Sequence, residues 1–589
     1  MPSERGSEDR SQAFEEVDLL VCGAGAGGMT AALVAALEGL HVVLAEKTDA
    51  VGGTTATSGG TTWVPGTHLS VQAGVPDRVE DARAFLEAIV ANRGGNALRE
   101  AFLTSGPDAI AELDSRTDVK FVAAIAHPDY LDGPGAAYGG RALAPVAFDG
   151  RRLDKADFDR VRPPRREFLG LGGMMVGRNE LGALLAPFGS VANFRSATGI
   201  VGRYLLDRLR YRRGTRLLMG NALVARLLFS LRKAGVPVLF DTGLRDLIVE
   251  EGRVVGAVLN GPGGLRHIRA RKGVVLATGG LCWNRKLRER LFHAGTRDYA
   301  LGPATNTGDG ADAAMAIGAR FEDGGDSPAL WMPCSSYRRA DGTLAVWPHI
   351  ILDRAKPGLL AVDAYGKRFV NEANSYHDFA MGQIVNGAIP AHLVCDAAFM
   401  RRYGMGMVLP GASNLKSMVA AGYVIQARTL ADLAARIGCD PAGLAETVAS
   451  YNRAAATGVD EAFGRGSSVV NRFNGDAQAG PNPCLGPIGQ GPFYAMAVRP
   501  ADLASSAGLS GDVYGRVLDE AGTAIPGLYA CGNDLASIFR GTYPGPGTTL
   551  GPAIVFGWRV AKHAAGKLTD TATDVADTMT HERNDHATI

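Results

Sequence analysis

The sequence predicts an α/β fold into which a smaller α+β domain is inserted, and three observations predict it. A strand–helix–strand pattern fills residues 17–47, and buried strands that end in glycines recur at 273–280 and 525–533. The intervening residues 326–500 bring tryptophans, prolines and Ala/Leu-rich helical segments. We therefore divide the chain into a disordered N-terminus at 1–16, a main domain at 17–325 and 501–568, an inserted domain at 326–500 and a loose tail at 569–589.

The first strand–helix–strand pattern carries the residues that a dinucleotide requires. Gly23 permits the tight turn after the strand, Gly25 lets the backbone approach a pyrophosphate, and Gly28 lets helix and strand pack closely. The helix would direct its positive end at the phosphates, and Glu46 is placed to accept hydrogen bonds from a ribose. A purely structural glycine turn is the alternative, which the complete context of strands, helix and acid disfavours.

A second run of small residues follows directly, from Gly52 to Gly60, where larger side chains would block a planar ligand. This stretch resembles the FAD-binding module of flavoproteins related to fumarate reductase and succinate dehydrogenase. In that module such a loop lies along the diphosphate and the isoalloxazine. The resemblance implies FAD as the cofactor, a Rossmann-like FAD-binding main domain and a catalytic inserted domain.

Composition excludes several functional classes. The 589 residues are 46% hydrophobic and 21% charged with a net charge of +1, which gives no electrostatic footprint for nucleic acid. Seven scattered cysteines without a CxxC pair favour buried thiols in a reducing compartment over a disulfide frame or a metal site. No apolar run is long enough to span a bilayer, and the polar first 16 residues lack a signal layout. We expect a cytoplasmic protein without a metal.

Apolar residues at helical spacing predict helices over 81–92 and 96–113, and a Gly/Pro-rich loop follows them. That loop contains Tyr130 and Tyr138, which either anchor it by packing or face a ligand. Residues 191–218 form a predicted helix in which seven arginines alternate with apolar side chains. Such a helix either lies on an anionic membrane, with access to lipid-dissolved substrate, or exposes a merely solvated face.

The next segment predicts a helix at 221–233 and short strands at 236–240, 244–250, 253–259 and 267–271. A buried strand at 273–280 then ends in Gly279 and Gly280, and residues 306–310 open another helix. Small residues at such strand ends suit a flavin that lies across the sheet edge, although a simple strand terminator is the alternative. In the inserted domain, Arg368 and Glu372 predict an ion pair, and Tyr376 has either a packing or a catalytic role.

The chain returns to cofactor-type sequence at Gly532 and Asn533, where the asparagine suits a ribityl hydroxyl. The stiff loop Tyr543-Pro-Gly-Pro-Gly547 then runs into a helix. Because proline has no N–H, only Gly545 and Gly547 can donate between Tyr543 and the following threonine. A tyrosine hydroxyl beside a glycine N–H suits a developing enolate, and the helix start would favour negative charge on a reduced flavin. A loop that only shapes the flavin pocket is the alternative.

We expect FAD to be held by residues from all of these segments. They are Gly23, Gly25, Gly28, Glu46, Lys47, Gly53, Thr54, Ser58, Gly59, Gly60, Ala277, Gly279, Gly280, Asn306, Gly308, Asp309, Gly532, Asn533, Thr549 and Leu550.

Three stretches resemble 3-ketosteroid Δ1-dehydrogenases, and the resemblance covers nearly the whole chain. They are Thr542-Tyr-Pro-Gly-Pro-Gly-Thr-Thr-Leu-Gly-Pro-Ala553, Arg368-Phe-Val-Asn-Glu372, and the segment from Tyr451-Asn452 to Pro481-Asn-Pro-Cys-Leu485.

The family resemblance implies a role for each candidate catalytic residue. Tyr543 O–H and Gly547 N–H would hold the steroid C3 carbonyl oxygen, and Tyr376 would take the C2 proton to form an enolate, while C1 passes hydride to flavin N5. Tyr130 is expected to assist, with Tyr138 as its competitor.

The expected function is therefore FAD-dependent 1,2-dehydrogenation of a 3-ketosteroid. The expected partners are a steroid, an electron acceptor, quinone-like or other, and a membrane surface through 191–218. Related alternatives are a Δ4-(5α)-ketosteroid dehydrogenase or a fumarate-reductase-like ene-reductase. An alternative from another class is a flavin electron carrier without its own substrate chemistry.

Overall fold

The computed structural model describes residues 15–350 and 353–568. The first strand begins at Glu15, two residues inside the stretch predicted to be disordered. Residues 1–14 and the predicted tail at 569–589 lie outside the described residues.

The strands have the following bounds in chain order. They are β1 (Glu15–Cys22), β2 (Val42–Ala45), β3 (Thr62–Trp63), β4 (Phe121–Ala123), β5 (Ala142–Pro145), β6 (Phe148–Asp149), β7 (Leu169–Gly170), β8 (Met174–Met175), β9 (Arg216–Leu217), β10 (Val238–Leu239), β11 (Gly243–Glu250), β12 (Arg253–Gly261), β13 (Gly264–Leu276), β14 (Phe321–Glu322), β15 (Ala329–Arg338), β16 (Leu344–Pro348), β17 (Leu359–Val362), β18 (Ala391–Asp396), β19 (Ile425–Ala427), β20 (Phe493–Ser505), β21 (Gly508–Leu509), β22 (Arg516–Leu518) and β23 (Ala524–Ala530).

The helices connect these strands. They are α1 (Ala26–Leu37), α2 (Gly53–Thr57), α3 (His68–Gln72), α4 (Val79–Val90), α5 (Asn96–Arg116), α6 (Lys155–Asp159), α7 (Arg178–Leu185), α8 (Val191–Arg208), α9 (Met219–Lys233), α10 (Arg285–Leu291), α11 (Asp309–Met315), α12 (Tyr376–Val385), α13 (Ala397–Tyr403), α14 (Leu415–Ala420), α15 (Leu430–Ile437), α16 (Pro441–Thr457), α17 (Val469–Asn474) and α18 (Leu550–Ala564).

The main sheet has the order β10-β2-β1-β13-β12-β11, with β23 pairing β13 and β22. Strands β1, β2, β13 and β23 run parallel, with Leu20 opposite Val43 and Val274. Their carboxyl ends therefore meet at one edge, where the predicted glycine turns follow each strand. The predicted strand–helix–strand start and the α/β fold are confirmed.

Two predicted elements differ from the structure. The strands expected at 267–271 and 273–280 form one continuous strand, β13, in which Gly273 has φ +139°. A Cβ at this position would lie 2.4 Å from Gly527 O, so the glycine lets β23 pair closely at that point instead of ending a strand. The helix expected at 191–218 ends at Arg208, and after a turn over residues 209–215 the chain forms the short strand β9.

A second, antiparallel sheet has the order β16-β15-β20-β18-β17, with β19 also pairing β20. The helices α12 and α16 lie in this α+β part of the chain, where the predicted ion pair is present: Arg368 Nη2 lies 2.7 Å from Glu372 Oε2. Burial alone would raise the pKa of Glu372, but Arg368 and Arg465 lower it to about 2. The buried charge is therefore paired on two sides.

All seven cysteines are buried, as predicted. Among the described residues, no helix combines the length and the apolar character that crossing a membrane requires.

Candidate active site

A cavity of about 570 Å³ extends from the turn after β1 to the Tyr543 loop. It follows the edge where the parallel strands end and reaches the second sheet through Met332 of β15 and Leu503 of β20. One wall is thus lined by cofactor-type glycine turns and the opposite end by aromatic and apolar side chains.

The glycine turn after β1 has the close approaches that the sequence predicted. Gly23 has φ +108°, and a Cβ there would lie 2.1 Å from Ala277 O. A Cβ on Gly28 would lie 1.9 Å from Gly23 O, whereas Gly25 faces open space with its nearest neighbour 4.0 Å away. Helix α1 begins at Ala26, whose N–H donates to Thr55 Oγ1 at 3.2 Å, and the next residue, Gly27, also lines the cavity at the helix start. This turn fits the pyrophosphate of FAD.

The carboxylate of Glu46 lies in the same wall. It accepts the N–H of Ala24 at 3.0 Å and both the N–H and the hydroxyl of Thr48, at 3.0 and 2.9 Å. These bonds fix the carboxylate at the cavity, where its remaining lone pairs can accept from ribose hydroxyls. Lys47 forms an ion pair of 2.8 Å with Asp309 across the strand ends.

Most of the predicted cofactor residues line the cavity. These are Gly23, Gly25, Glu46, Lys47, Gly53, Thr54, Ser58, Gly59, Gly60, Ala277, Gly279, Asn306, Asp309, Asn533, Thr549 and Leu550.

Four predicted cofactor residues do not line this cavity. Gly28 packs α1 on β1, and Gly280 and Gly308 approach Ser505 and Asn284 too closely for any side chain. Gly532 lies beside a smaller pocket behind the cavity wall. Residues that line the cavity without having been predicted include Ala24, Ala26, Gly27, Thr55, Arg162, Met219, Thr242 and Gly243. Of the last four, Arg162 follows α6, Met219 begins α9, and Thr242 and Gly243 lie at the start of β11. No motif marks these positions.

Three tyrosines meet at the other end of the cavity. The ring centroids of Tyr130 and Tyr376 lie 5.4 Å apart, those of Tyr130 and Tyr543 5.9 Å, and those of Tyr376 and Tyr543 5.2 Å. All three side chains are buried. The structure therefore brings together the three tyrosines that the family resemblance selected, whereas Tyr138 is 61% exposed.

The electrostatics of this cluster keep the phenols protonated. Burial raises the pKa of Tyr376 well above its ordinary value of 10.0, and the neighbouring tyrosines raise it further. Burial also raises the pKa of Tyr130 and Tyr543. The positive charge of Arg354 opposes this effect at Tyr130. Formation of a phenolate here therefore needs hydrogen-bond donors on its oxygen.

The loop from Tyr543 to Gly547 is locked by its neighbours. Gly547 has φ +97°, and a Cβ there would lie 2.3 Å from Thr61 O. The Tyr130 N–H donates to Pro544 O at 2.8 Å, and the Trp63 N–H donates to Gly547 O at 3.1 Å. Among the described residues, no acceptor takes the Gly547 N–H, and the residue lines the cavity. The N–H is therefore available to a substrate oxygen.

A buried polar network, absent from the sequence prediction, holds Tyr130 in place. Arg141 forms ion pairs with Asp129 at 2.6 Å and with Asp77 at 2.8 Å, and all three side chains are buried. Asp129 also accepts the Trp63 Nε1–H at 2.8 Å. These contacts fix the Gly/Pro-rich loop against the strand beside the Tyr543 loop. Asp129 and Arg141 are both visible in the sequence of this loop, but their spacing alone did not predict that they form an ion pair.

The cavity around the tyrosines is completed by side chains from the loops of Tyr130 and Tyr543 and from scattered segments that carry no motif. They are His127, Ala144, Arg165, Phe168, Leu301, Met332, Pro348, Ile350, Leu503, Ala504 and Pro546.

Comparison with known proteins agrees with this geometry. The FAD binding domain family matches residues 18–550. The 4-oxocyclohex-2-ene-1-carboxylate 5-dehydrogenase of Sinomonas cyclohexanicum is 38% identical, over 93% of this chain and 93% of the relative. The 3-oxosteroid 1-dehydrogenase of Mycobacterium tuberculosis is 35% identical, over 94% of this chain and 98% of the relative.

The crystal structure of 3-ketosteroid Δ1-dehydrogenase from Sterolibacterium denitrificans in complex with 1,4-androstadiene-3,17-dione is similar with a TM-score of 0.87. It shares 35% identity and covers 94% of this chain and 100% of that chain. The matched family and the glycine cradle identify FAD as the cofactor. The chain therefore belongs to the 3-ketosteroid Δ1-dehydrogenase family of FAD-binding flavoproteins and is an FAD-dependent oxidoreductase.

Proposed function

We propose that the protein catalyses the 1,2-dehydrogenation of 3-ketosteroids. The observation that carries this proposal is the meeting of Tyr130, Tyr376 and Tyr543 with the available N–H of Gly547 in the cavity that also contains the FAD cradle. The 35% identity with steroid dehydrogenases, one of them crystallised with a steroid dienone, supports it.

In this proposal, Tyr543 and Gly547 bind the C3 carbonyl oxygen. The loop holds both donors before substrate arrives, because Pro544 and Pro546 stiffen it and Gly547 is packed against Thr61. Donors fixed in advance stabilise the negative charge that develops on an enolate oxygen. They also make the hydrogens on the neighbouring C2 more acidic.

Tyr376 is the proposed acceptor of the C2 proton, and Tyr130 assists it. Burial and the contacts with Tyr130 and Tyr543 all raise the pKa of Tyr376, so in this proposal a phenolate forms only when the hydroxyls of these two neighbours turn to donate to its oxygen. The charge of Arg354 lowers the pKa of Tyr130 and so opposes the burial effect at the assisting residue. The proposed base therefore acts within a contacting set of three tyrosines and not as an isolated side chain.

The second hydrogen leaves as hydride, which FAD, when bound, accepts. The chain contributes a water-poor surface for the substrate rings, in which Leu301, Met332, Ile350 and Leu503 line the cavity. Apolar contacts of this kind bind a steroid skeleton by burying its hydrocarbon surface.

A single-ring ketone is the second candidate substrate, because a relative that is 38% identical is a 4-oxocyclohex-2-ene-1-carboxylate dehydrogenase. The same tyrosines and the same N–H would act on a ring ketone of either size. A Δ4-(5α)-dehydrogenase or an ene-reductase would move other hydrogens than the proposed 1,2-dehydrogenation does. An electron carrier would not oxidise a ketone at all.

Anaerobic addition of 4-androstene-3,17-dione to the purified holoenzyme tests the proposal. We expect bleaching of the flavin absorbance and formation of the 1,4-diene. Bleaching by 4-oxocyclohexanecarboxylate alone would select the single-ring candidate. If no ring ketone bleaches the flavin, the proposed function is wrong.

We further propose that α8 and its flanks contact the cytoplasmic face of an anionic membrane, where a steroid or a quinone-like electron acceptor dissolves. This membrane-facing segment is defined by exposed apolar side chains, namely Phe188, Val191, Phe194, Leu205, Leu206 and Leu209. Exposed arginines lie beside them at Arg195, Arg208, Arg210 and Arg212. Apolar insertion combined with positive charge is typical of interfacial helices.

The position of the segment supports this role. Along the chain the segment lies between Phe168 and Met219, and both of these residues line the cavity. Three of its arginines are instead tied to the protein: Arg203 pairs with Asp149 at 2.9 Å, Arg216 pairs with Glu180, and Arg213 donates to Asn221. A ligand that leaves the membrane beside α8 would thus have a short route to the cavity.

A further inference from the structure

Arg165 brings a positive charge into the apolar end of the cavity. It lies in the loop between α6 and β7 and lines the cavity together with Phe168, Leu301 and Met332. Leu301 and Met332 belong to the same packed cluster as the three tyrosines. The guanidinium is therefore at the substrate end, apart from the turn after β1 that faces the phosphates.

Among the described residues, Arg165 has few polar partners to offset the cost of placing its charge inside the cavity. Its one hydrogen bond to them runs from Nη2 to the carbonyl oxygen of Leu301, and no carboxylate of the described chain pairs with it. Glu167, two residues on, is bonded instead by Arg339. Burial lowers the pKa of Arg165, which reflects the cost of holding this charge away from water. A guanidinium has five N–H donors, so four remain for a ligand.

Two neighbouring arginines differ from Arg165 in their exposure or in the part of the cavity that they face. Arg166 points outward and pairs with Asp341 at 3.4 Å, with its side chain 67% exposed. Arg162 also lines the cavity but donates to Thr48 at 2.8 Å, beside Glu46 in the cofactor wall. Arg165 is thus distinguished by facing the substrate end with no anionic partner in the described chain.

We propose that Arg165 binds a carboxylate carried by the ketone substrate, so that the enzyme selects cyclic ketones that are also acids. Carboxylates match the planar fork of a guanidinium in paired hydrogen bonds, and a half-buried site strengthens them. The substrate would be held at two ends, by its carbonyl oxygen at Tyr543 and Gly547 and by its acid group at Arg165. This inference rests on the proposed ketone dehydrogenation.

Two matched substrate pairs test the proposal on the holoenzyme. One pair is 4-oxocyclohexanecarboxylate and its methyl ester, and the other is a 3-oxo-4-ene steroid with a side-chain carboxylate and the methyl ester of that steroid. We expect the wild-type enzyme to prefer the acid in one pair, and that pair identifies whether the carboxylate belongs to a single ring or to a steroid side chain.

The variants separate charge recognition from packing. Arg165→Met should lower kcat/KM for the preferred acid by about 100-fold more than for its ester, since one partner of a half-buried charge pair is lost only with the acid. Arg165→Lys should recover part of the loss. The matched control Arg166→Met removes an outward arginine and should change neither substrate.

Three outcomes would overturn the proposal. These are equal losses on acid and ester in Arg165→Met, a weaker affinity of that variant for FAD, and a wild-type enzyme that prefers the acid in neither pair. Flavin bleaching by an uncharged ketone would persist in each case and would leave the proposed dehydrogenation standing. Absence of bleaching by every ketone would instead remove the proposed function itself.

Discussion

The ring of Tyr376 meets that of Tyr543 edge to face, with centroids 5.2 Å apart and planes at 66°. Both side chains are buried. Tyr376 is the first residue of α12 in the second sheet's part of the chain, and Tyr543 lies in the loop before α18. The proposed proton acceptor and the proposed carbonyl donor therefore come from distant segments and meet in one buried cluster.

Replacing Tyr543 by Phe removes one proposed donor to the enolate oxygen. We expect kcat to fall by about 10²- to 10³-fold, as for other single oxyanion donors, while FAD stays bound. Steady-state turnover with 4-androstene-3,17-dione and the flavin spectrum measure the two effects. Tyr138→Phe is the matched control, because that ring is exposed, and its turnover should equal the wild type. Unchanged turnover in Tyr543→Phe would show that the carbonyl binds elsewhere.

The pH dependence of flavin reduction reports the proposed base. Burial raises the pKa of Tyr376 above 10.0, so at neutral pH only a small fraction of this group is a phenolate. Below that pKa the fraction grows about tenfold per pH unit, and the rate of reduction should rise with pH in parallel. Stopped-flow reduction between pH 6 and 9 measures this slope.

Tyr376→Phe should be slow at every pH and should lose the slope, while it retains FAD. A variant that keeps the wild-type slope would assign the titrating group to another residue. Tyr130→Phe should lower the rate less, because it removes an assisting donor and leaves the base in place.

Gly547→Ala tests the close packing of the loop. The left-handed backbone alone should cost about 1 to 2 kcal/mol of unfolding free energy. A Cβ here would also lie 2.3 Å from Thr61 O, so the loop must move and turnover should fall further. Gly422→Ala is the control, since Gly422 has φ +71° but no atom within 4 Å. It should show the stability loss, by thermal unfolding, with normal turnover.

Glu46→Gln tests the cofactor wall. The substitution keeps the size but removes the charge that accepts the Ala24 and Thr48 donors and faces the cavity. We expect FAD affinity to fall by about 10- to 100-fold, the range for a hydrogen bond to a charged group. Fluorescence of released flavin measures it. Glu16→Gln removes an exposed carboxylate of β1 and should leave FAD affinity unchanged.

The membrane-facing segment predicts binding to vesicles that contain anionic lipid. Replacing Leu205, Leu206 and Leu209 together by Gln should weaken co-sedimentation by about 100-fold, because three apolar side chains lose their lipid contact. A matched triple variant at Leu265, Leu344 and Leu409 changes exposed leucines elsewhere and should bind normally. Equal binding by both variants would leave α8 as a solvated helix face.

Much of the cofactor-binding end of the cavity could be predicted from the sequence, because the physical constraints on it act between residues close together in the chain. A tight turn after a strand and a helix start at the phosphates each need small residues at fixed spacing, and the structure has β1, α1 and β2 where the pattern predicted them. The domain boundaries and the roles of the individual site residues stay predictions. The sequence did not show that 264–276 is one strand, because the pairing of Gly273 with Gly527 is a long-range contact.

The sequence by itself determined the α/β fold, the FAD cofactor, the family and the stiff donor loop, since each depends on residues close together in the chain. Only the tertiary structure decided between Tyr130 and Tyr138 as the neighbour of Tyr376, because ring distance and burial depend on how separate segments pack. It also placed Arg165 at the substrate end of the cavity. One arginine among many has no local signal in the sequence. The inference depends on the apolar side chains around Arg165 and on the absence of an anionic partner among the described residues.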